Sequence, residues 1–204
     1  MRLPGSDYPG FPAAAPARVR SSHYVMDDIL EILIDAENIA EKVAELAERI
    51  SRDYKGKELV AVCVLKGAAL FAADLVRSIS TPVTVDFVWA ASYGTSTSPA
   101  QEVRVEKDIA SDIQGRHVLL VDGIVDSGRT RAFLLERYWV RKPASLRVAV
   151  LLDKKARRMV PVQIDYRGFT VPDRFVVGYG MDYAQQYRNL PYIAVIRNDK
   201  PIAP

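Results

Sequence analysis

Two aspartates four residues apart, Asp122 and Asp126, are followed at once by Ser127, Gly128, Arg129 and Thr130, all within the stretch VLLVDGIVDSGRT from Val118 to Thr130. Backbone N–H groups at a Gly- and hydroxyl-rich turn that opens a helix attract anions, and the helix dipole adds to that attraction. Carboxylates flanking such a cradle suit a multiply phosphorylated sugar that arrives with a metal ion. The simpler role is an ordinary strand-to-helix loop with Asp126 or Ser127 as its cap. The pattern GxxxxGK[ST] occurs nowhere in the chain, so this is not that type of nucleotide loop.

The elements that must hold these groups follow from the spacing of apolar residues. Val118–Val121 reads as a strand buried on both faces, stopping at Asp122. A helical pattern begins at Thr130 and runs through Phe133, Leu134, Arg137 and Tyr138. Upstream, Asp35 can cap a helix with the stripe Ile39, Val43, Leu46 and Ile50, ended by Lys55-Gly56-Lys57. A strand over Leu59–Leu65, a helix over Ala68–Ile79 and an alternating strand over Val83–Trp89 come next. Residues Ala90–Asp108 are polar and rich in Ser, Thr and Gly, which predicts a mobile functional loop. Leu146–Leu152 is a further apolar strand, with shorter strands expected at Gln163–Arg167, Phe175–Gly178 and Tyr192–Arg197. Alternating strands and helices imply an α/β fold: an open, mostly parallel twisted sheet with helices on both faces. Such sheets bind ligands beyond the carboxyl ends of their strands. Lys66-Gly67, Asp122–Thr130 and Asp153-Lys154 all fall at such ends.

Composition narrows the possibilities. The chain has 204 residues, 49% hydrophobic and 26% charged, which suits one globular domain. Residues 1–21 hold four prolines and two glycines without an apolar face, so they read as a disordered tail rather than a signal peptide. No apolar stretch is long enough for a bilayer, so no membrane association is expected. A single cysteine, Cys63, sits in an apolar strand; it reads as a buried core thiol, and its being alone accords with a reducing cytoplasm. A net charge of +3 is too small to imply nucleic acid, and two histidines without cysteine partners give no zinc pattern.

The segment Asp122–Thr130 resembles the phosphoribosyl-pyrophosphate signature of the type I phosphoribosyltransferases: two adjacent acids, two apolar residues, Asp, Thr or Ser, Gly, a basic residue, Thr. Val64-Leu65-Lys66-Gly67-Ala68, Ser92-Tyr93-Gly94, Val171-Pro172-Asp173-Arg174-Phe175 with its continuation to Tyr183, and Tyr187–Ile193 resemble the hypoxanthine-guanine branch of that family. The likeness runs in unbroken order from about Asp35 to Arg197. It implies a core over about residues 37–168 and a small hood from about 22–36 and 169–204, together one domain over 22–204. It also implies purine salvage: magnesium-dependent transfer of 5-phosphoribosyl from phosphoribosyl pyrophosphate to N9 of hypoxanthine or guanine, giving IMP or GMP and pyrophosphate.

Roles carry over by position. Lys66, Gly67, Asp122, Gly123, Ser127, Gly128, Arg129, Thr130 and Arg188 correspond to binders of phosphoribosyl pyrophosphate, the Lys66-Gly67 loop through a non-proline cis peptide. Asp126 matches the acid near purine N7, a general base or a stabiliser of oxocarbenium charge. Lys154 matches the donor to the 6-oxygen; a lysine only donates, so it accepts a 6-oxo group and refuses a 6-amino group. Phe175 would stack on the purine and Val176 would bond its edge. Asp182 and Asp122 would face Mg2+, and Ser92-Tyr93 would belong to a lid that excludes water. The resemblance further implies a homodimer or homotetramer. One departure stands out: Gly123 occupies the place of the second acid. It implies weakened binding of phosphoribosyl pyrophosphate that Gly123→Asp would improve. It is also the one feature that favours a non-catalytic, regulatory ligand-binding protein on the same fold. An RNA-binding regulator would need a basic face that the charge does not supply.

Overall fold

The apolar strand β2 (Leu59–Leu65, LVAVCVL) is the centre of the sheet because it has no polar residue to offer solvent on either face. The computed structural model describes residues 29–93 and 102–197; the expected tail over 1–21 lies outside them. β2 pairs in parallel with β3 (Val83–Tyr93) on one side and β5 (His117–Val125) on the other. β6 (Ser145–Asp153) and β7 (Tyr166–Thr170) extend the parallel array, and β4 (Glu102–Lys107) closes the other edge antiparallel to β3. The order is β4-β3-β2-β5-β6-β7.

Alternation along the strands sends side chains to two helical layers. Ala61, Cys63, Leu119, Val121, Ala149 and Leu151 pack with α1 (Ala36–Asp53) and α2 (Ala69–Ser78). Val60, Val62, Val118, Leu120, Val148 and Val150 pack with Leu134 and Tyr138 of α3 (Arg129–Trp139). Asp35 caps α1 as its position demands, accepting from the Asn38 amide at 2.8 Å, and Ile39, Val43, Leu46 and Ile50 are buried. The Cys63 thiol is fully buried, and burial, helped by the charge of Asp86, pushes its pKa up to about 12. No described helix is long and apolar enough to cross a membrane.

Three expectations change. The loop expected over Ala90–Asp108 is largely a β-hairpin: β3 runs on to Tyr93 and β4 pairs back onto it, Ser92 opposite Val103 and Tyr93 opposite Glu102. The alternation Val103, Val105 against Glu102, Arg104, Glu106 is a strand signal that polar composition masks. The strand expected at Gln163–Arg167 lies at Tyr166–Thr170, because Asp165 turns its carboxylate onto the Val148 amide at 2.8 Å instead of extending the ladder. Finally, Ile29–Ile34 forms a strand, β1, that the sequence reading does not place; it joins β8 (Val176–Val177) and β9 (Ile193–Ile196) in a separate antiparallel sheet ordered β1-β9-β8.

Candidate active site

β5 does not stop at Asp122. It stays paired with β6 as far as Val125 opposite Asp153, so Asp122 and Gly123 are consecutive strand residues facing opposite ways. Asp122 lies on the α3 side, and Gly123 looks toward the Lys66-Gly67 loop. After Val125 the chain turns through Ser127 and Gly128, and α3 starts at Arg129. Gly128 is left-handed (φ 86°), and a Cβ there would lie 2.6 Å from the Val160 carbonyl, so the turn admits only glycine. A cavity of about 490 Å³ opens above this turn, lined by Asp122, Asp126, Ser127, Gly128, Thr130 and Arg131 among others. Arg129 holds the first position of α3.

A second cavity of about 320 Å³ adjoins the first, sharing Ile124 and Asp126 with it. Its walls bring together Lys66, Gly67, Lys154, Phe175, Val176, Asp182 and Arg188, gathered from four separate stretches of chain. Lys154 is 5% exposed, and its Nζ stands 3.6 Å from the carboxylates of both Asp126 and Asp173. A hydrogen bond from Arg157 holds Asp173 below the usual carboxylate range, with the Arg157 and Lys154 charges adding to it. Arg158 fastens the floor: it donates to the Asp126 carbonyl at 3.0 Å and pairs with buried Asp153 at 2.5 Å. Phe175 meets Tyr183 at 5.4 Å with the two rings nearly perpendicular, and at 39% exposure it lines the cavity as an aromatic wall for a planar ligand.

The Lys66-Gly67 loop follows a cis Leu65–Lys66 peptide. Lys66 Nζ donates to Gln185 Oε1 at 3.2 Å and lies 5.5 Å from the Trp89 ring centroid. Arg188 donates to the Gly180 carbonyl at 2.7 Å and pairs with Asp182 at 2.7 Å, while the other Asp182 oxygen accepts from the Gln185 amide. Ser92 and Tyr93 end β3; the hairpin tip, residues 94–101, lies outside the described residues.

Several residues of the site escape the sequence reading: Arg131, Arg157 and Met181 in the cavity walls, and Asp173, which pairs with Lys154 and Arg157. Arg131 is the most consequential. It is 3% exposed and pairs with Asp122 at 2.5 Å, while its Nε and Nη1 are buried without a partner. Its signal is spacing, since Arg131, Leu134 and Tyr138 form the buried stripe of α3, where a guanidinium is out of place.

Among the described residues no three His, Cys, Asp or Glu side chains converge to hold a metal. Asp182 fits a hard cation that keeps its waters and arrives on phosphate oxygens, because two cationic side chains suited to such oxygens, Lys66 and Arg188, line the same cavity. Asp122 fits one less well: its guanidinium partner Arg131 has 2% side-chain exposure, whereas Arg188, the partner of Asp182, has 25% and can turn to a phosphate oxygen.

A parallel α/β sheet with an anion-binding turn, a buried lysine and paired cavities at its strand ends belongs to the class of proteins that take a phosphorylated ligand beside a second, planar one. The match to known families makes this specific: the phosphoribosyl transferase domain covers residues 30–184, and the chain belongs to that family. The hypoxanthine-guanine phosphoribosyltransferase of Bacillus subtilis is 44% identical over 170 residues, 83% of this chain and 94% of the relative. A crystal structure of a hypoxanthine-guanine phosphoribosyltransferase from Bacillus anthracis superposes with a TM-score of 0.78 at 46% identity, covering 83% of this chain and 99% of the other. The bifunctional protein TilS/HprT of Listeria innocua is 43% identical over 171 residues; this chain spans about a quarter of its length, 26%.

Proposed function

We propose that the chain transfers the 5-phosphoribosyl group of phosphoribosyl pyrophosphate to N9 of hypoxanthine or guanine, releasing pyrophosphate, in purine salvage. The observation that carries this is the placement of Lys154: a buried ammonium in the smaller cavity, 3.6 Å from the one acid, Asp126, that the two cavities share. A donor-only group beside an acid at the junction selects a 6-oxopurine and puts a carboxylate where bond exchange occurs.

The roles follow from the walls. Ser127, Gly128, Arg129 and Thr130 receive the 5′-phosphate at the start of α3. Asp122 accepts from a ribose hydroxyl. Lys66, the Gly67 backbone and Arg188 receive pyrophosphate, Arg188 exchanging Asp182 for a phosphate oxygen. Phe175 stacks on the base, Val176 meets its edge through the backbone, and Asp126 takes or balances the proton at N7 as the anomeric carbon becomes cationic. Mg2+ would sit at Asp182 and supply charge neutralisation to the departing pyrophosphate. The β3–β4 hairpin, with Ser92 and Tyr93 at its outer end, closes over the site and keeps water from the activated sugar. The site lies within one domain over 22–204, with its core over about 37–168 and the hood from 22–36 and 169–204. The setting is cytoplasmic, and the assembly is a homodimer or homotetramer, for which Val85, Phe87 and Trp89, a half-exposed apolar row on β3, offer a surface.

The test is nucleotide formation from hypoxanthine, guanine, xanthine and adenine, each with phosphoribosyl pyrophosphate and magnesium. Turnover of the 6-oxopurines and none of adenine is expected. Equal rates with adenine would remove the assignment.

A further inference from the structure

Arg131 is a buried charge that the proposed reaction does not use. One of its three guanidinium nitrogens is satisfied: Nη2 holds Asp122 Oδ2 at 2.5 Å and reaches the Ile124 carbonyl at 3.4 Å, while Nε and Nη1 have no partner. Such an arrangement is poor for stability. An apolar side chain of similar volume on this stripe, beside Leu134 and Tyr138, would serve the core better. What the guanidinium changes is the charge of the larger cavity. With glycine at 123 there is one acid where the family signature has two adjacent ones, and that acid is already neutralised. The charged residues lining the cavity are Asp122 and Asp126 against Arg131 and Arg157, two of each sign, and the start of α3 adds partial positive charge.

Resting on the phosphoribosyl-binding reading of this same cavity, we propose that Arg131 is a built-in counter-cation that takes the place of a divalent ion at Asp122. A second cation brought to the same carboxylate would stand within a few ångströms of a buried guanidinium, in surroundings where like charges repel strongly. Arg188, which pairs with Asp182, is 25% exposed and can leave for a phosphate oxygen, whereas Arg131 is enclosed; the metal is therefore confined to the Asp182 end of the site, and the sugar-phosphate end binds its ligand without metal. Arg131 acts here through Asp122 and through its charge; it is a positioning residue, not a catalytic one.

Calorimetry with ribose 5-phosphate on the full chain tests this without any turnover. In the presence of a chelator the parent protein should bind ribose 5-phosphate with a Kd within about threefold of the value in excess Mg2+. Arg131→Met, which removes the cation and uncovers Asp122 beside the phosphate, should weaken binding about tenfold or more in chelator. Added Mg2+ should recover part of that loss, because Asp122 is then open to the ion. Arg131→Lys keeps the charge and should retain most of the affinity, which a purely structural role for the guanidinium would not produce. A parent whose binding depends on Mg2+, or equal losses in the Met and Lys variants, overturns the proposal. A parent that forms nucleotide yet needs Mg2+ for ribose 5-phosphate overturns this inference alone. A parent that binds ribose 5-phosphate in chelator but forms no nucleotide supports it and overturns the catalytic reading instead.

Discussion

Helix α3 carries an arginine–aspartate cluster at each end, and the two are built differently. At its C-terminal end Asp108 is saturated: Oδ2 accepts two bonds from Arg137, at 2.7 and 3.0 Å, and one from Arg141, while Oδ1 accepts from Tyr138 and from the Ile109 amide. At its N-terminal end the Asp122–Arg131 pair leaves two buried donors empty. Most buried polar groups find partners within the fold. Tyr54 Oη and Thr81 Oγ1 lack one elsewhere in the fold, but the deficit at Arg131 differs from theirs in lying in a cavity wall, where a ligand can fill it. Asp126 repeats the pattern, with a buried Oδ1 that has no partner.

Substitutions can break this division between a functional and an architectural end. The largest effect belongs to Asp126→Asn, which keeps shape and removes charge. It should lower kcat by about 10²–10⁴-fold with little change in either KM or in Tm, as loss of acid–base assistance does. Steady-state kinetics beside a thermal melt decide, and an unchanged kcat would return Asp126 to the role of a turn residue. Lys154→Ala is next. It should raise the KM for hypoxanthine about 10- to 150-fold, the worth of one hydrogen bond to a charged group, and leave the KM for phosphoribosyl pyrophosphate nearly unchanged. Equal rises in both constants would mean that Lys154 merely keeps Asp126 and Asp173 apart.

The architectural end answers in stability instead. Asp108→Asn should cost about 1–2 kcal/mol, since Arg137 and Arg141 are partly exposed and rehydrate when the partner is lost, and kcat should hardly move. The pH dependence has a definite sign. Burial alone would raise the Asp108 pKa, but hydrogen bonds from Arg137 and the Ile109 amide, with the charges of Arg141 and Arg137, outweigh it and hold the carboxyl below its ordinary range. A depressed folded-state pKa stabilises fully above the unfolded value, about 3.9, and the benefit is lost as pH falls through the folded value. The Tm gap between parent and Asp108→Asn should therefore be constant from neutral pH to about pH 5 and close below about pH 4. A gap that persists at low pH would show that packing, not charge, fastens this end of the helix.

Legibility in the sequence follows the same division. The stripe of α1, the apolar runs of β2, β5 and β6 and the Ser-Gly turn are local patterns, and each lies within a residue or a few of where its pattern puts it. Lys154 was locatable because Asp153-Lys154 follows an apolar run and the position matches the family's 6-oxygen donor. Arg131 was not, because its significance depends on which face of α3 is buried, and a basic residue early in a helix reads as solvent-facing until the stripe through Leu134 and Tyr138 is traced. β4 was hidden by its polar edge-strand composition, and β1 by a partner, β9, at the far end of the chain. The packing of Gly123 is tertiary from the outset: the atoms that crowd it come from Gly67 and Met181.

Gly123 gives the smallest predicted effect, and here the geometry reverses an expectation. Read as a missing acid, the glycine implies that aspartate would restore a sugar contact and lower the KM for phosphoribosyl pyrophosphate. In the fold, however, Gly123 points away from Asp122, and a Cβ there would lie 2.9 Å from the Gly67 carbonyl oxygen and 3.2 Å from Met181 Sδ. Its backbone is ordinary β-strand, so the obstacle is space, not torsion. Any side chain must push the Lys66-Gly67 loop outward, and the same carbonyl also crowds Gly180, where a Cβ would lie 2.3 Å from it. The glycine thus lets the loop sit deep, so that this region of the site is tightly packed while the Asp122 side is under-satisfied. In an open strand position Gly→Ala would stabilise by about 0.4–1 kcal/mol; overpacking of about 1–3 kcal/mol outweighs that here, part of it relieved by movement of the loop. Gly123→Ala should therefore raise the KM for phosphoribosyl pyrophosphate several-fold, roughly 3- to 10-fold, with kcat little altered. Gly123→Asp should do no better than alanine. If aspartate instead lowers that KM below the parent's, the loop yields easily, the adjacent-acid pair is restored, and the contrast between a packed and an open side of β5 fails.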